Sequence, residues 1–119
     1  MRDCHVLIVE DEYFLAEGLR CGLSDLGATV IGPVATVEQA MQIVTDGNDR
    51  IDGAVLDVNL RGEMIYPVAD RLIERGVPIV FTTGYDESAI PGRFRDIPRC
   101  EKPVNLTQSS RAIGAMIGV

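Results

Sequence analysis

The 119-residue sequence predicts a doubly wound α/β fold, a five-stranded parallel sheet between two layers of helices. Three observations predict it. Short aliphatic runs alternate with segments of helical periodicity from one end to the other, as in a chain of βαβ units. The best of these runs are continuously apolar rather than alternating, so their strands are buried on both faces. Four of them also end in polar, reactive residues, and in parallel sheets the carboxyl ends of the strands form the edge where ligands bind.

Each element has its own local cause. Val6-Leu7-Ile8-Val9 is an unbroken, mostly β-branched run between polar ends and forms the first strand. Leu15, Leu19, Leu23 and Leu26 follow at helical spacing, and Gly27 supplies the stop. A second strand runs from about Thr29 to Val34; Pro33 lacks a ladder donor, which assigns this strand to the sheet edge. Thr36 with Gln39 three residues later predicts a capping box. The helix it opens carries the stripe Val37, Ala40, Met41 and Val44, and Asp46-Gly47-Asn48 closes it. Asp52-Gly53 leads into the third strand, Ala54-Val55-Leu56-Asp57.

A polar loop from Val58 to Glu63 then precedes a helix with Pro67 in its first turn and Gly76 just past its end. Val68, Ala69, Leu72 and Ile73 form its buried face, and Val77 to Thr83 is the fourth strand. Pro91, Gly92 and Pro98 interrupt the stretch from Tyr85 to Arg99, so the fourth helix is short or irregular, one or two turns around Arg93 to Asp96. Arg99 to Glu101 is a brief fifth strand. The last helix runs from about Leu106 to Ile117, with Leu106, Ile113, Met116 and Ile117 on one face. No repeat, low-complexity tract or linker divides the sequence, which reads as one domain over residues 1–119.

A net charge of −7, with no run of three Lys or Arg, counts against direct binding to nucleic acid or anionic membranes, both of which are negatively charged. Cys4, Cys21 and Cys100 show no CxxC spacing and cannot all pair, which fits free thiols in a reducing cytoplasm. Cys4, near the start, is expected to react most readily. The apolar run before Glu10 is too short for a signal peptide, and no stretch reaches membrane-span length. A cytoplasmic setting is expected.

The strand ends carry the chemistry. Glu10 and Asp11 follow the first strand and Asp57 ends the third. In a flavodoxin-like sheet of strand order 2-1-3-4-5 these two strands are neighbours at the topological switch point. Three carboxylates gathered there repel one another unless a cation is present, and oxygen-only ligands suit Mg²⁺, or Mn²⁺, rather than zinc. The single histidine, His5, lies at the far end of the first strand. An Asp beside bound Mg²⁺ can act as a nucleophile toward a phosphoryl group. Thr83, ending the fourth strand, offers a hydroxyl donor, and Lys102, held extended by Pro103, offers a mobile positive charge.

Taken singly, each residue has an ordinary role: Asp57 a turn former, Glu10-Asp11-Glu12 first-turn acids facing the positive helix end, Thr83 a turn former, Lys102 a surface charge. Their combination is specific. Val9-Glu10-Asp11-Glu12, Leu56-Asp57, Thr83-Gly84 and Lys102-Pro103, in this order on these elements, resemble the receiver domain of two-component response regulators over essentially the whole chain. The resemblance implies that Asp57 accepts a phosphoryl group from the phosphohistidine of a sensor histidine kinase or a histidine phosphotransfer protein. It implies Mg²⁺ held directly by Asp11 and Asp57, chiefly through water by Glu10, and by the backbone carbonyl of Asn59. Thr83 and Lys102 would contact the phosphoryl group, and a surface would switch its affinity for a downstream protein partner. Such a domain phosphorylates and dephosphorylates itself but is not an enzyme acting on other substrates.

The sequence departs from the family pattern where the signal leaves the site. The family's switch aromatic, three residues before the Lys, is Arg99 here, leaving Tyr85 as the candidate substitute. Leu60-Arg61-Gly62 replaces the usual Met-Pro, and Gly84 stands where Ala is commoner. Phe81-Thr82-Thr83-Gly84 resembles the Phe-x-Thr-Gly segment of one receiver subgroup. A degenerate receiver that binds partners regardless of phosphorylation is the alternative. An aspartyl phosphatase is disfavoured, because Asn59 stands where such enzymes carry their second Asp. A nucleotide- or flavin-binding domain is disfavoured too, since no GxGxxG or Walker A pattern follows the first strand. The last helix leaves a phosphorylation-dependent homodimer open.

Overall fold

The computed structural model describes residues 4–47, 50–84, 90–101 and 106–117, and of 101 and 106–110 the backbone only. In chain order the elements are β1 (His5–Val9), α1 (Tyr13–Asp25), β2 (Thr29–Val34), α2 (Val37–Asp46), β3 (Gly53–Asp57), β4 (Asn59–Leu60), β5 (Glu63–Met64), α3 (Tyr66–Glu74), β6 (Ile79–Thr83), a single 3₁₀ turn (Gly92–Phe94), β7 (Arg99–Glu101) and α4 (Leu106–Ile117). Five strands form one parallel sheet in the order β2-β1-β3-β6-β7. This is the expected flavodoxin-like 2-1-3-4-5 order once the small β4-β5 hairpin is set aside. The fourth helix is reduced to the 3₁₀ turn, in line with Pro91, Gly92 and Pro98.

Strand residues alternate between two cores. Leu7, Val9, Ala54, Leu56, Ile79 and Phe81 face α2 and α3, where Ala40, Val44, Val68, Ala69 and Leu72 meet them. Val6, Ile8, Val55 and Val80 face α1 and α4, where Leu15, Leu19, Leu23, Ile113 and Ile117 meet them. Each fully buried aliphatic side chain contributes on the order of 1.5–3 kcal/mol, so the two faces together hold the sheet rigid beneath its edge. At Gly53 a helix packs close to the strand: a Cβ there would lie 2.9 Å from the Cβ of Ile117.

The local signals act as expected. Thr36 caps α2 by accepting from the Gln39 amide at 3.1 Å, and the Gln39 side chain accepts from the Ala35 amide at 3.1 Å. Gly47 and Gly76 end α2 and α3 with positive φ. Five expectations fail. Ile73 and Met116 are exposed, because each stripe is wider than the strip of sheet it covers, and Leu26 lies beyond the end of α1 at 37% exposure. Cys4 is buried beneath α1, and burial pushes its thiol upward, so Cys21 is the exposed thiol. The Val58–Glu63 segment is largely a hairpin rather than a loop.

Candidate functional site at the carboxyl edge of the sheet

β1 and β3 pair in register from Val6 with Gly53 to Val9 with Leu56, so the residues just past each strand emerge side by side. β3 pairs with β6 to the same depth, Asp57 standing opposite Thr82. The result is a polar pocket on a rigid apolar floor. One carboxylate oxygen from each of Glu10, Asp11 and Asp57 lies within 4.8 Å of the others. Glu10 and Asp57 are buried and Asp11 partly so.

The hydrogen bonds around the pocket fix its carboxylates. Asp57 Oδ1 accepts from the Asn59 amide at 3.2 Å, which turns the chain sharply after β3. Glu10 Oε2 accepts from the Glu12 amide at 3.0 Å, and the Thr82 hydroxyl lies 3.5 Å from Glu10 Oε1. Glu12 points away: its carboxylate caps α1, accepting from the Leu15 amide at 2.9 Å and the Phe14 amide at 3.4 Å. An acid at that position also meets the positive end of the helix. Glu10 and Asp11 are therefore the acids of β1 that face Asp57, and Glu12 belongs to the helix.

Three like charges this close, two of them buried, oppose one another in a site of low dielectric. The donors are all oxygen, clustered and partly open to water, a set that fits a hard divalent cation such as Mg²⁺. Asn59, the fourth expected contributor, directly follows Val58 in the turn and begins the hairpin, with its side-chain Oδ1 accepting from the Gly62 amide at 2.6 Å.

The chain matches no protein-family model and no curated protein sequence. Solved structures do match. SdrG from Sphingomonas melonis Fr1 is 42% identical, with 98% of each chain covered and a TM-score of 0.82. The chain belongs to the response regulator receiver family. The BeF3-activated conformation of SdrG from Pseudomonas melonis Fr1 gives 41% identity over 98% of this chain and 99% of that one, with a TM-score of 0.75. The receiver domain of the response regulator PhyR from Erythrobacter litoralis is 27% identical over 99% of this chain and 92% of that one, with a TM-score of 0.79.

In this receiver Thr83 is buried at the last position of β6, one residue beyond the Thr82–Asp57 pair. Lys102 and Tyr85 lie outside the described residues. Arg99 is exposed and stands in register with Phe81, so the position expected to hold a switch aromatic carries a solvated charge. The aromatic mass is elsewhere. Phe94 of the 3₁₀ turn is fully buried, stacked on Tyr66 at 5.2 Å between ring centroids and edge-on to Phe81 at 5.6 Å. Arg93 lies over the Phe94 ring at 4.4 Å and pairs with Asp70 of α3 at 3.1 Å.

Two contributors escaped the sequence reading. Thr82 was passed over for its neighbour Thr83, although two successive hydroxyls on a strand must face opposite sides of the sheet, and Thr82 is the one that reaches Glu10. Arg61, noted only as a departure from Met-Pro, places its Nε 3.5 Å from Asp11 Oδ2. Gly62 was the only turn signal available there, since Arg61 is not a residue that hairpin turns favour.

Proposed function

We propose that this receiver is a phosphoacceptor in a two-component phosphorelay, with Asp57 as the nucleophile. The observation that carries the reading is the pocket itself: Asp57 buried at the end of a central strand, with oxygens of Glu10 and Asp11 within 4.8 Å. That SdrG, 42% identical, adopts a BeF3-activated conformation supports it. A carboxylate oxygen of Asp57 attacks phosphorus in line. The new O–P bond forms as the N–P bond of the donor's phosphohistidine breaks, and the electron pair stays on the imidazole nitrogen. Asp11, Asp57 and the Asn59 carbonyl would hold Mg²⁺, with Glu10 acting chiefly through water, and the bound ion would supply positive charge against the phosphoryl oxygens. Thr83 donates its hydroxyl to one of those oxygens, and Lys102 pairs with another. Attack of water on the acyl phosphate releases inorganic phosphate and restores the carboxylate.

The donor is a sensor histidine kinase or a histidine phosphotransfer protein, and the output is a changed affinity for a downstream protein partner. In this reading the domain acts on itself rather than on outside substrates, which is supported by Asn59 standing where a phosphatase carries an acid. A cytoplasmic setting fits these partners; among the described residues no helix is long and apolar enough to cross a membrane.

With acetyl phosphate and Mg²⁺, intact-mass spectrometry will show one phosphoryl group on the wild type and none on Asp57→Asn or in excess chelator. An unlabelled wild type whose Asp57 and Thr83 amide resonances also ignore beryllofluoride would falsify the reading. The exposed Arg99 favours one alternative, a phosphorylation-independent interaction module. Equal affinity of a downstream partner for wild type and Asp57→Asn decides for that alternative.

A further inference from the structure

The β4-β5 hairpin grows directly from Asp57 and is firmly seated. Val58, Leu60 and Ile65 are buried, the Ile65 amide donates to the Val58 carbonyl at 3.0 Å, and Asn59 closes the turn through Gly62. At its tip Arg61 and Gly62 both have positive φ, 53° and 96°. Two-residue hairpins of this kind favour Asn-Gly, Asp-Gly or Gly-Gly, because a side chain such as Arg is strained in the left-handed region. Arg61 is the sole non-glycine residue with positive φ among those described. Turn chemistry therefore does not account for Arg at this position, and backbone strain of this sort collects where a side chain has a task.

The task is visible in where the side chain goes. Although 84% exposed and able to point anywhere in solvent, Arg61 reaches across to Asp11, whose side chain is only 16% exposed. An isolated surface pair of this kind is weak. Asp11, however, shares its pocket with two further carboxylates, and their summed field acts on any nearby cation.

We propose that Arg61 is a tethered counter-cation of the acidic pocket, which a divalent ion must displace from Asp11 in order to bind. The hairpin thereby sets the Mg²⁺ concentration at which the receiver becomes competent. The inference rests on reading the pocket as a Mg²⁺ site. Arg61 is a positioning residue here, acting on Asp11 rather than on the reacting atoms.

Its test is Mg²⁺ titration of the metal-free protein, followed by the amide resonances of Asp57 and Asn59, for wild type, Arg61→Asn, Arg61→Gly and Arg61→Lys. Asn and Gly both accept positive φ, so the hairpin survives the loss of charge. Both variants should bind Mg²⁺ roughly two- to fivefold more tightly than wild type, the range of a surface ion pair. The difference should shrink at high ionic strength, and Arg61→Lys should stay near wild type. A merely structural arginine predicts the opposite sign, weaker binding with a lower Tm. Unchanged or weaker binding in Asn and Gly variants that keep the wild-type amide pattern overturns the proposal and leaves the Mg²⁺ site standing. Tightening in Lys equal to that in Asn also overturns it, since charge would not be the cause. A wild type that ignores Mg²⁺ altogether overturns the parent reading and this one together.

Discussion

The two ends of the sheet hold similar residues in opposite arrangements. At the amino end the His5 amide donates to Asp52 Oδ2 at 2.8 Å, and Arg50 meets the same carboxylate at 3.0 Å. The charges described there are mixed and half-exposed or exposed, and Asp52 meets its base. At the carboxyl end three carboxylates crowd together, two of them buried, and the described cation nearest them is a solvated arginine on a hairpin. Both ends are stitched by β1 and β3, so the strands alone do not explain the difference. Like charge held in a low-dielectric site is costly, and a fold keeps it where chemistry needs it. The amino end shows what the same residue types do when stability is the only demand.

The comparison breaks most readily at Asp57. Without divalent cations, Asp57→Asn removes one of three clustered carboxylates and should leave the fold at least as stable as the wild type. It should also lose most of the Tm increase that Mg²⁺ gives the wild type. Thermal melts with and without Mg²⁺ check both, and a destabilised Asp57→Asn would mean that the pocket is not frustrated.

A smaller effect is expected at the other end. The His5 amide first, and Arg50 second, hold the Asp52 carboxyl below the usual carboxylate range. A depressed native value means that Asp52 stabilises the fold above its unfolded value, about pH 3.9. That contribution is lost as pH falls through the lower native value. Asp52→Asn should therefore cost less than about 1 kcal/mol near neutrality after solvent screening, and flatten the acid limb of the stability curve below about pH 4. Its response to Mg²⁺ should match the wild type. Urea titrations across that range measure the first effect, and a Mg²⁺ response altered as much as in Asp57→Asn would erase the distinction between the two ends.

The smallest effect concerns the thiols. Burial raises both Cys4 and Cys100, while Cys21 on α1 is exposed. Iodoacetamide on the native protein should modify Cys21 first with no change in Mg²⁺ response; peptide mapping that finds Cys4 first would contradict its burial.

Much of this is legible in the residues alone. The buried run Val6–Val9, the edge strand with Pro33, the Thr36–Gln39 cap and the broken fourth helix follow from residue spacing and from what Pro and Gly forbid. Glu10, Asp11 and Asp57 were legible as a cluster because a parallel sheet delivers strand ends to one edge whatever the intervening sequence. Arg61 and Thr82 were not, for a common reason. Their partners are distant in sequence (Thr82 and Glu10 are 72 residues apart), and nothing local to either residue names the other. Likewise the stripes on α3 and α4 revealed which side of each helix turns inward but not how far the sheet beneath extends, so Ile73 and Met116 were misplaced.

The sequence by itself determined the strands, the helices and the acids that follow the strands, because periodicity, breakers and caps are properties of neighbours along the chain; the strand order came only with the resemblance to receiver domains. Only the tertiary structure decided which carboxylates face one another, which Glu caps a helix instead, and that an arginine in a strained turn leans on Asp11. Those choices depend on register and on the electrostatic field of the assembled pocket, and neither exists until the strands have paired.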